Sequence, residues 1–350
     1  LAAKKAAVAP AQPAVQRLVV DEGSVDQRLD NFLIKVLKGA PKALVYRIIR
    51  SGEVRVNKGR ASADTRLAMG DEVRVPPLRL SAKAEPSESE SPGVPAREFP
   101  VLFEDEVMLV INKPSGVAVH GGSGVSFGVI EQLRRARPQA RFLELVHRLD
   151  KETSGVLVIA KKRSALTRLQ DVFRHRQAHK TYAALVTGAW PDSKKVIDVA
   201  LHKFLTAEGE RRVKAVAGDD DEGRRSISLV SVMQRFAAFT LLDVTIKTGR
   251  THQIRVHLSH EGHGIVGDEK YGDFALNKAL ARSGDVSIAG LDRSLLDDGR
   301  FDRMFLHARY LRLPHPVTGE ELTFEAAMPH ECTRLLLALA PRPASTSAAK

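Results

Sequence analysis

Gly-bounded apolar runs, few long helical periods and one Ser/Glu/Pro-rich break predict an α+β protein in two parts. A large domain on a mainly antiparallel, mixed sheet follows a small N-terminal α/β domain. In the large part the runs VMLVIN, GVLVIA, YAALVTG and FTLLDVTI alternate with polar helical stretches. The break is Ser81 to Ala96, SAKAEPSESESPGVPA, which offers too little apolar surface to offset its own ordering. At 350 residues the chain is long for one domain. The expected organisation is a disordered tail at 1–16, a small domain at 17–80, a flexible linker at 81–97, a large domain at 98–340 and a second tail at 341–350.

In the small domain, Leu29, Phe32, Leu33, Val36 and Leu37 fall on one face of a helix. Pro41 stands where a second helix starts, Leu44, Val45, Ile48 and Ile49 give that helix its stripe, and Gly52 ends it. GEVRVN and GDEVRVP then alternate Val with charged residues, the pattern of half-buried strands. The order is helix, helix, short β-ribbon. In the large domain, residues 272–303 lack a strand period and read as an insertion or mobile loop.

Charge sets the class of partner. Fifty-four Lys and Arg against 42 Asp and Glu leave a net charge of +12, a surface that attracts polyanions, either nucleic acid or an anionic membrane. Between Arg28 and Arg60 there are nine basic residues and two acids, Asp30 and Glu53. Lys42, Arg47, Arg50 and Lys58 are members of that set. A merely solvated helix face mixes its signs, because like charges at i,i+4 repel, so a one-signed patch points to a polyanion. Cys332 is the only cysteine, which excludes an intramolecular disulfide and a cysteine zinc site. No signal-peptide pattern and no apolar run of bilayer length occurs, so the chain reads as cytoplasmic with no membrane partner. It starts at Leu1 and not at Met, so a longer natural chain is expected.

Three segments can carry chemistry. The first is His147-Arg148-Leu149-Asp150-Lys151-Glu152-Thr153-Ser154-Gly155, entering the strand Val156–Ala160. Its Thr-Ser-Gly turn holds Asp150 in a loop ahead of a rigid sheet, and the neighbouring His147, Arg148 and Lys151 favour a carboxylate. A plain turn Asp or surface ion pair fits the same spacing. The second is Thr248-Gly249-Arg250-Thr251-His252-Gln253-Ile254-Arg255-Val256-His257-Leu258. Here Thr251 can cap a helix whose Ile254 and Leu258 face the core, with Arg255 on another face. Arg250 and Arg255 suit a carboxylate or a phosphate, and equally a structural salt bridge. His260-Glu261-Gly262-His263 is one residue short of a zincin helix, so no metal site is assigned to the cluster of His252, His257, His260, His263, Glu261 and Asp268. The third is Lys180-Thr181-Tyr182-Ala183-Ala184-Leu185-Val186, a strand whose Tyr182 can pack in the core or offer a π-face to a base taken out of its stack.

Taken in order, HRLDKETSG, KTYAALV and GRTHQIRVHL resemble the motif set of the RluA-type pseudouridine synthases. Asn112-Lys113-Pro114-Ser115-Gly116 with Val119-His120 resembles the family's opening motif. Phe305-Leu306-His307-Ala308 and Leu313-Pro314-His315-Pro316 resemble its closing one. The likeness spans about residues 98–330. The small domain resembles the S4-like RNA-binding module, and PKALVYRIIRSGEVRVNKGR is similar to the branch of the family that modifies several uridines of 23S ribosomal RNA.

The resemblance implies a pseudouridine synthase catalytic domain behind an S4-like domain, acting on ribosomal RNA. It implies that Asp150 is the catalytic carboxylate and that Arg255 pairs with it, with Arg250 a neighbour. Tyr182 packs against the target base, Arg148 enters the RNA where the uridine has left, and Leu306 lines the pocket. His147 is grouped with the substrate contacts. No cofactor is implied, since the isomerisation needs no redox change, and no P-loop or GxGxxG motif is present. The chain is expected to be a monomer with no nucleotide cofactor and no metal. Two rivals are a non-catalytic RNA-binding ribosome-assembly factor, which leaves the Asp–Tyr–Arg set without a purpose, and a metal-dependent hydrolase, which the histidine spacing disfavours.

Overall fold

The computed structural model of the chain describes residues 14–37, 40–78, 93–121, 127–206, 210–218, 220–282 and 287–341. These fall into two compact units divided between Gly93 and Val94. Most of the linker and of both tails, residues 81–92, 1–13 and 342–350, lies outside the described residues.

The first unit contains β1 (Gln16–Val19), α1 (Leu29–Val36), α2 (Lys42–Arg50), β2 (Arg55–Val56), β3 (Gly59–Arg60) and β4 (Glu72–Val75). Its sheet order is β1-β4-β2-β3. The helical stripes bury as the 3.6-residue period requires: Leu29, Leu33, Val45 and Ile48 close over Val54, Leu67, Val73 and Val75. Gly52, at φ 75°, releases the chain from α2 into the ribbon. The β2–β3 turn puts Asn57 and Lys58 at φ 50° and 68°, the geometry of a two-residue hairpin, with Lys58 at its tip. The strand β1 departs from the helix–helix–ribbon order read from the sequence, and it starts at Gln16, inside the stretch taken as tail. Its partner β4 is more than 50 residues away, and four residues with little alternation carry no local strand signal.

The second unit opens with β5 (Val101–Glu104), β6 (Met108–Lys113), α3 (Val129–Ala136), β7 (Glu144–Leu145), β8 (Ser154–Ala160) and α4 (Arg163–Arg174). It continues through β9 (His179–Thr187), β10 (Val196–Asp198), β11 (Ala200–Leu205), β12 (Arg211–Val216), β13 (Ile227–Arg235) and β14 (Phe239–Ile246). It closes with α5 (Gln253–His260), α6 (Phe274–Leu280), β15 (Leu306–Pro314), β16 (Glu321–Glu325) and α7 (His330–Ala338). Ten strands form one sheet in the order β10-β13-β14-β9-β15-β8-β6-β5, with β16 on β15 and β7 on β8; β11 and β12 form a separate hairpin.

Strand alternation divides the core. On β9, Tyr182, Ala184 and Val186 join one cluster and Leu185 another; on β8, Leu157 and Ile159 join the first while Val156, Val158 and Ala160 join a third. All seven residues of β8 are buried, as a strand covered on both faces must be. The sheet is antiparallel except where β8 runs alongside β15, pairing Ser154 with His307 and Gly155 with Ala308. Gly155 sits there at φ 114°, and a Cβ on it would lie 2.2 Å from the Ala308 carbonyl oxygen. Only glycine fits.

The 272–303 stretch is more ordered than an insertion or mobile loop. Asp273 caps α6 by accepting from the Ala275 and Leu276 N–H groups, and Leu280, Leu296 and Phe301 pack with Leu185 and Phe305. Its apolar residues are too sparse to show a period, yet Leu280, Leu296 and Phe301 bury while Phe274 stays exposed; residues 283–286 lie outside the described residues.

Candidate active site

The β7–β8 loop carries Asp150, and three anchors hold it. The Thr153 N–H donates to the Asp150 carbonyl at 3.2 Å, closing a turn. The Lys113 ammonium, wholly buried, donates to the carbonyls of Pro114 and Val117 at 2.8 Å and of Lys151 at 3.0 Å. Ser115 Oγ donates to the Glu152 carbonyl at 2.6 Å. The Asn112–Gly116 motif therefore grips the loop on both residues that follow Asp150. Burial pulls the Lys113 pKa down to about 7.

Asp150 opens onto a cleft of about 830 Å³ between the loop, α4, β9, the end of β14 and the start of α5. Tyr182, Leu149, Ile246, Ile254 and Leu306 give it an apolar floor. Arg148, Arg174, Arg176, Lys180, Lys247, Arg250, Arg255 and Arg312 line it as well, and Asp150 is the single carboxylate among them. Burial, then the Asp150 charge, push the Tyr182 phenol upward, so it stays neutral. Lys180 lies 5.3 Å over the Phe173 ring, and burial lowers its pKa.

Arg255 comes from α5, but not as the sequence suggested. Thr251 does not cap that helix: the N-cap is His252, in the left-handed region at φ 54°. The turn is tied instead by Gln253 Oε1, which accepts from Thr248 Oγ1 at 2.7 Å and from the Arg250 N–H at 3.1 Å. Six residues of α5, Gln253 to Leu258, are buried, so Arg255 points into the protein. Its Nη1 reaches Asp150 Oδ2 at 3.2 Å, while Nε and Nη2 each reach a carboxylate oxygen of Asp268 at 2.7 Å. The guanidinium fork thus belongs to Asp268, and Asp150 takes the remaining nitrogen. Burial opposes both charges, yet the Arg255–Asp268 pair outweighs it, raising the Arg255 pKa and holding Asp268 below the usual carboxylate range.

The structure brings Asp150, Arg255, Tyr182, Arg148, Arg250, Leu306 and His147 to one cleft. His147 serves the scaffold more than a ligand: its Nε2 accepts from the Val158 N–H at 3.1 Å and its ring stacks 4.7 Å from Phe173. Burial, then the charge of Lys180, push its pKa down to about 3, so it adds no positive charge beside Asp150. Lys42, Arg47, Arg50 and Lys58 belong to the other unit, where all four are exposed. The histidines of the rejected metal cluster have separate partners: His252 meets Tyr271 Oη, His257 meets Ser228 and Val199, and His263 meets the Thr187 carbonyl. Sequence reasoning missed Asp268 as a partner of Arg255. The Gly-Asp turn after the apolar Ile265-Val266 pair was the only local signal for it.

Residues 107–260 match the model of the RNA pseudouridylate synthase family, and residues 27–73 match the S4 domain. The chain is 46% identical to ribosomal large subunit pseudouridine synthase C of Haemophilus influenzae, over 92% of this chain and 94% of that protein. It is also 46% identical to the protein of that name from Escherichia coli K12, over 93% and 96% of the two chains. Among solved structures, human RNA pseudouridylate synthase domain containing 4 superposes with a TM-score of 0.55 at 28% identity, over 69% of this chain and 92% of that one. Sequence identity along almost its whole length, carried on the fold described above, shows that the chain belongs to the RNA pseudouridylate synthase family.

Proposed function

We propose that the protein isomerises uridines to pseudouridines in large-subunit ribosomal RNA, with Asp150 as its catalytic carboxylate. The observation that carries this reading is a cleft with eight cationic side chains and one carboxylate. The cations suit a polyanionic backbone. The apolar floor of Tyr182 and Leu306 suits a base that has left its stack, at a cost of a few kcal/mol. Arg148 and Arg250, both exposed at the rim, suit the RNA around the vacated position.

The reaction breaks the N1–C1′ bond, turns the uracil and forms a C5–C1′ bond; C5 gives up a proton and N1 gains one. Asp150 fits two routes. In one it attacks C1′ and holds the ribose as an ester while the base turns. In the other it takes the C2′ proton and later returns it. Asp150 Oδ2 accepts from Arg255, and among the described residues no hydrogen bond takes its other oxygen, which leaves it for either task. Neutral Tyr182 supplies a face and not a base.

The relatives' names, the S4 match and the exposed cations of the first unit support large-subunit RNA as the substrate. Residues 17–80 act as an RNA-binding domain, residues 98–340 as the catalytic domain, and the protein works as a cytoplasmic monomer. The test is to incubate purified protein with unmodified 23S RNA in EDTA and to map pseudouridine chemically. The wild type forms it at defined sites. Asp150→Ala binds the RNA and forms none. Turnover by Asp150→Ala sinks the assignment, and RNA binding with no pseudouridine from the wild type favours the assembly-factor rival.

A further inference from the structure

Arg255 is enclosed on an edge and on a face by one short segment. Asp268, with no solvent exposure, takes the Nε–Nη2 edge of the guanidinium. Three residues on, the Tyr271 ring lies 5.2 Å from Arg255 Cζ. The segment is itself rigid. Asp268 Oδ1 accepts from the N–H groups of Lys270 at 2.8 Å and Tyr271 at 3.1 Å. The Asp268 carbonyl accepts from Asn277 Nδ2 at 2.9 Å. Tyr271 Oη accepts from the Val213 N–H of β12 at 3.1 Å and lies 2.9 Å from Nδ1 of His252 at the start of α5. With this edge and face taken, Arg255 presents only Nη1 to Asp150.

We infer that Asp268 and Tyr271 are positioning residues that aim Arg255 at Asp150, so that Asp150 receives one donor and keeps a net negative charge in the cleft. The inference rests on the reading of Asp150 as the catalytic carboxylate. Its logic is electrostatic. Two carboxylates share one guanidinium, so the row carries a formal charge of −1. Were Arg255 to give its fork to Asp150, the carboxylate would be neutralised and less able to attack C1′ or take a proton. Along either route Asp150 loses its charge, as an ester or as an acid. Asp268 then keeps the buried Arg255 paired, where an unpaired buried cation would be strongly destabilising. Asn at 268 keeps the shape but can accept from only one arm, and its amide faces the other N–H.

The experiment compares full-length wild type, Asp268→Asn, Arg255→Gln and the double variant on a 23S RNA fragment in single-turnover and steady-state assays. Asp268→Asn lowers kcat on the order of 10- to 100-fold, the cost of a misplaced catalytic group. Its KM stays within about twofold, because a buried residue makes no contact with RNA. In the Arg255→Gln background the same substitution costs under about twofold or restores activity, because nothing is left to aim. Wild-type kcat in folded Asp268→Asn, or losses that multiply in the double variant, overturns the inference. Should Asp268→Asn fail to melt cooperatively, Tyr271→Leu takes its place in the same cycle with the same two outcomes. Asp150→Ala, run in parallel, separates the levels: its activity refutes the underlying reading, whereas an inert Asp150→Ala beside a fully active Asp268→Asn refutes the positioning alone.

Discussion

Lys113 Nζ donates to the carbonyl oxygen of Lys151, the residue after Asp150, at 3.0 Å. A lysine at the end of β6 thereby fixes a loop 38 residues further along the chain. Its two other acceptors, Pro114 and Val117, belong to its own turn, so the ammonium staples one loop to another across the strand pair β6–β8. Lys113→Met keeps the length and apolar stem but leaves three part-buried carbonyls without that donor. The expected loss is about 3 kcal/mol in urea unfolding, and kcat falls more than RNA affinity because the Asp150 loop loosens. Unfolding and turnover equal to wild type would show that the staple does no positioning.

A second prediction concerns the parallel seam. Gly155→Ala places a Cβ 2.2 Å from the Ala308 carbonyl oxygen and forces a residue with a side chain to φ 114°. Either the β8–β15 pairing opens or the chain rearranges, at a cost of about 3 kcal/mol or more. Leu306 and the Asp150 loop lead into the same end of that parallel seam, one on each strand, so activity falls together with stability. A soluble Gly155→Ala protein with a wild-type melting temperature would contradict the close approach.

How much of this was legible beforehand follows from how local each signal is. The loop around Asp150, the Tyr182 strand and the helix of Arg255 each announce themselves within ten residues, through turn residues and apolar period. Their meeting in one cleft is a product of sheet order, which places β9 beside β15 and β15 beside β8. The Asp268 fork was not legible, because the local pattern around Arg255 fits a phosphate, Asp150 or a structural partner equally well. The Thr251 cap failed for a related reason. Ser and Thr ahead of an apolar run are good caps in general, but here the Gln253 side chain claims the turn. His147 looked like a charge beside Asp150, and burial against Phe173 makes it neutral.

Buried neutral histidines also set a pH response. His307 Nε2 donates to the Ala326 carbonyl, so its Nδ1 accepts from Ser154 Oγ, which in turn accepts from Arg303. Burial, and then the Arg303 charge, lower its pKa to about 4. The unfolded chain takes up this proton near pH 6.5 while the native state refuses it, so the unfolded state binds more protons and stability rises with pH across that window. Stability from this group is complete above pH 6.5 and is lost as pH falls toward 4. The expected loss is about 2 kcal/mol between pH 6.5 and pH 5. His147, lowered by burial to about 3, works in the same direction. Urea unfolding at pH 7, 6 and 5 measures the slope, and His307→Asn flattens it. A stability independent of pH over this range would mean that His307 charges freely in the native state.

The final prediction separates affinity from chemistry. Lys42, Arg47, Arg50 and Lys58 are exposed on the first unit, on α2 and at the tip of the β2–β3 turn, and no acid pairs with them among the described residues. Every residue of the cleft lies after position 145. If these four cations bind phosphates, each contact releases counterions and adds about 0.7–0.9 to the slope of log K against log salt. Replacing all four with Ala in the full chain should therefore flatten the slope by roughly 3 and raise KM at physiological salt, while leaving kcat at saturating RNA unchanged. The comparison is made by titrating one 23S fragment at several salt concentrations with both proteins. An unchanged slope would make the patch a solvated surface and nothing more. A fall in kcat at saturation would mean that the first unit helps to shape the active site, because uniform binding energy alters KM and leaves the chemical step alone.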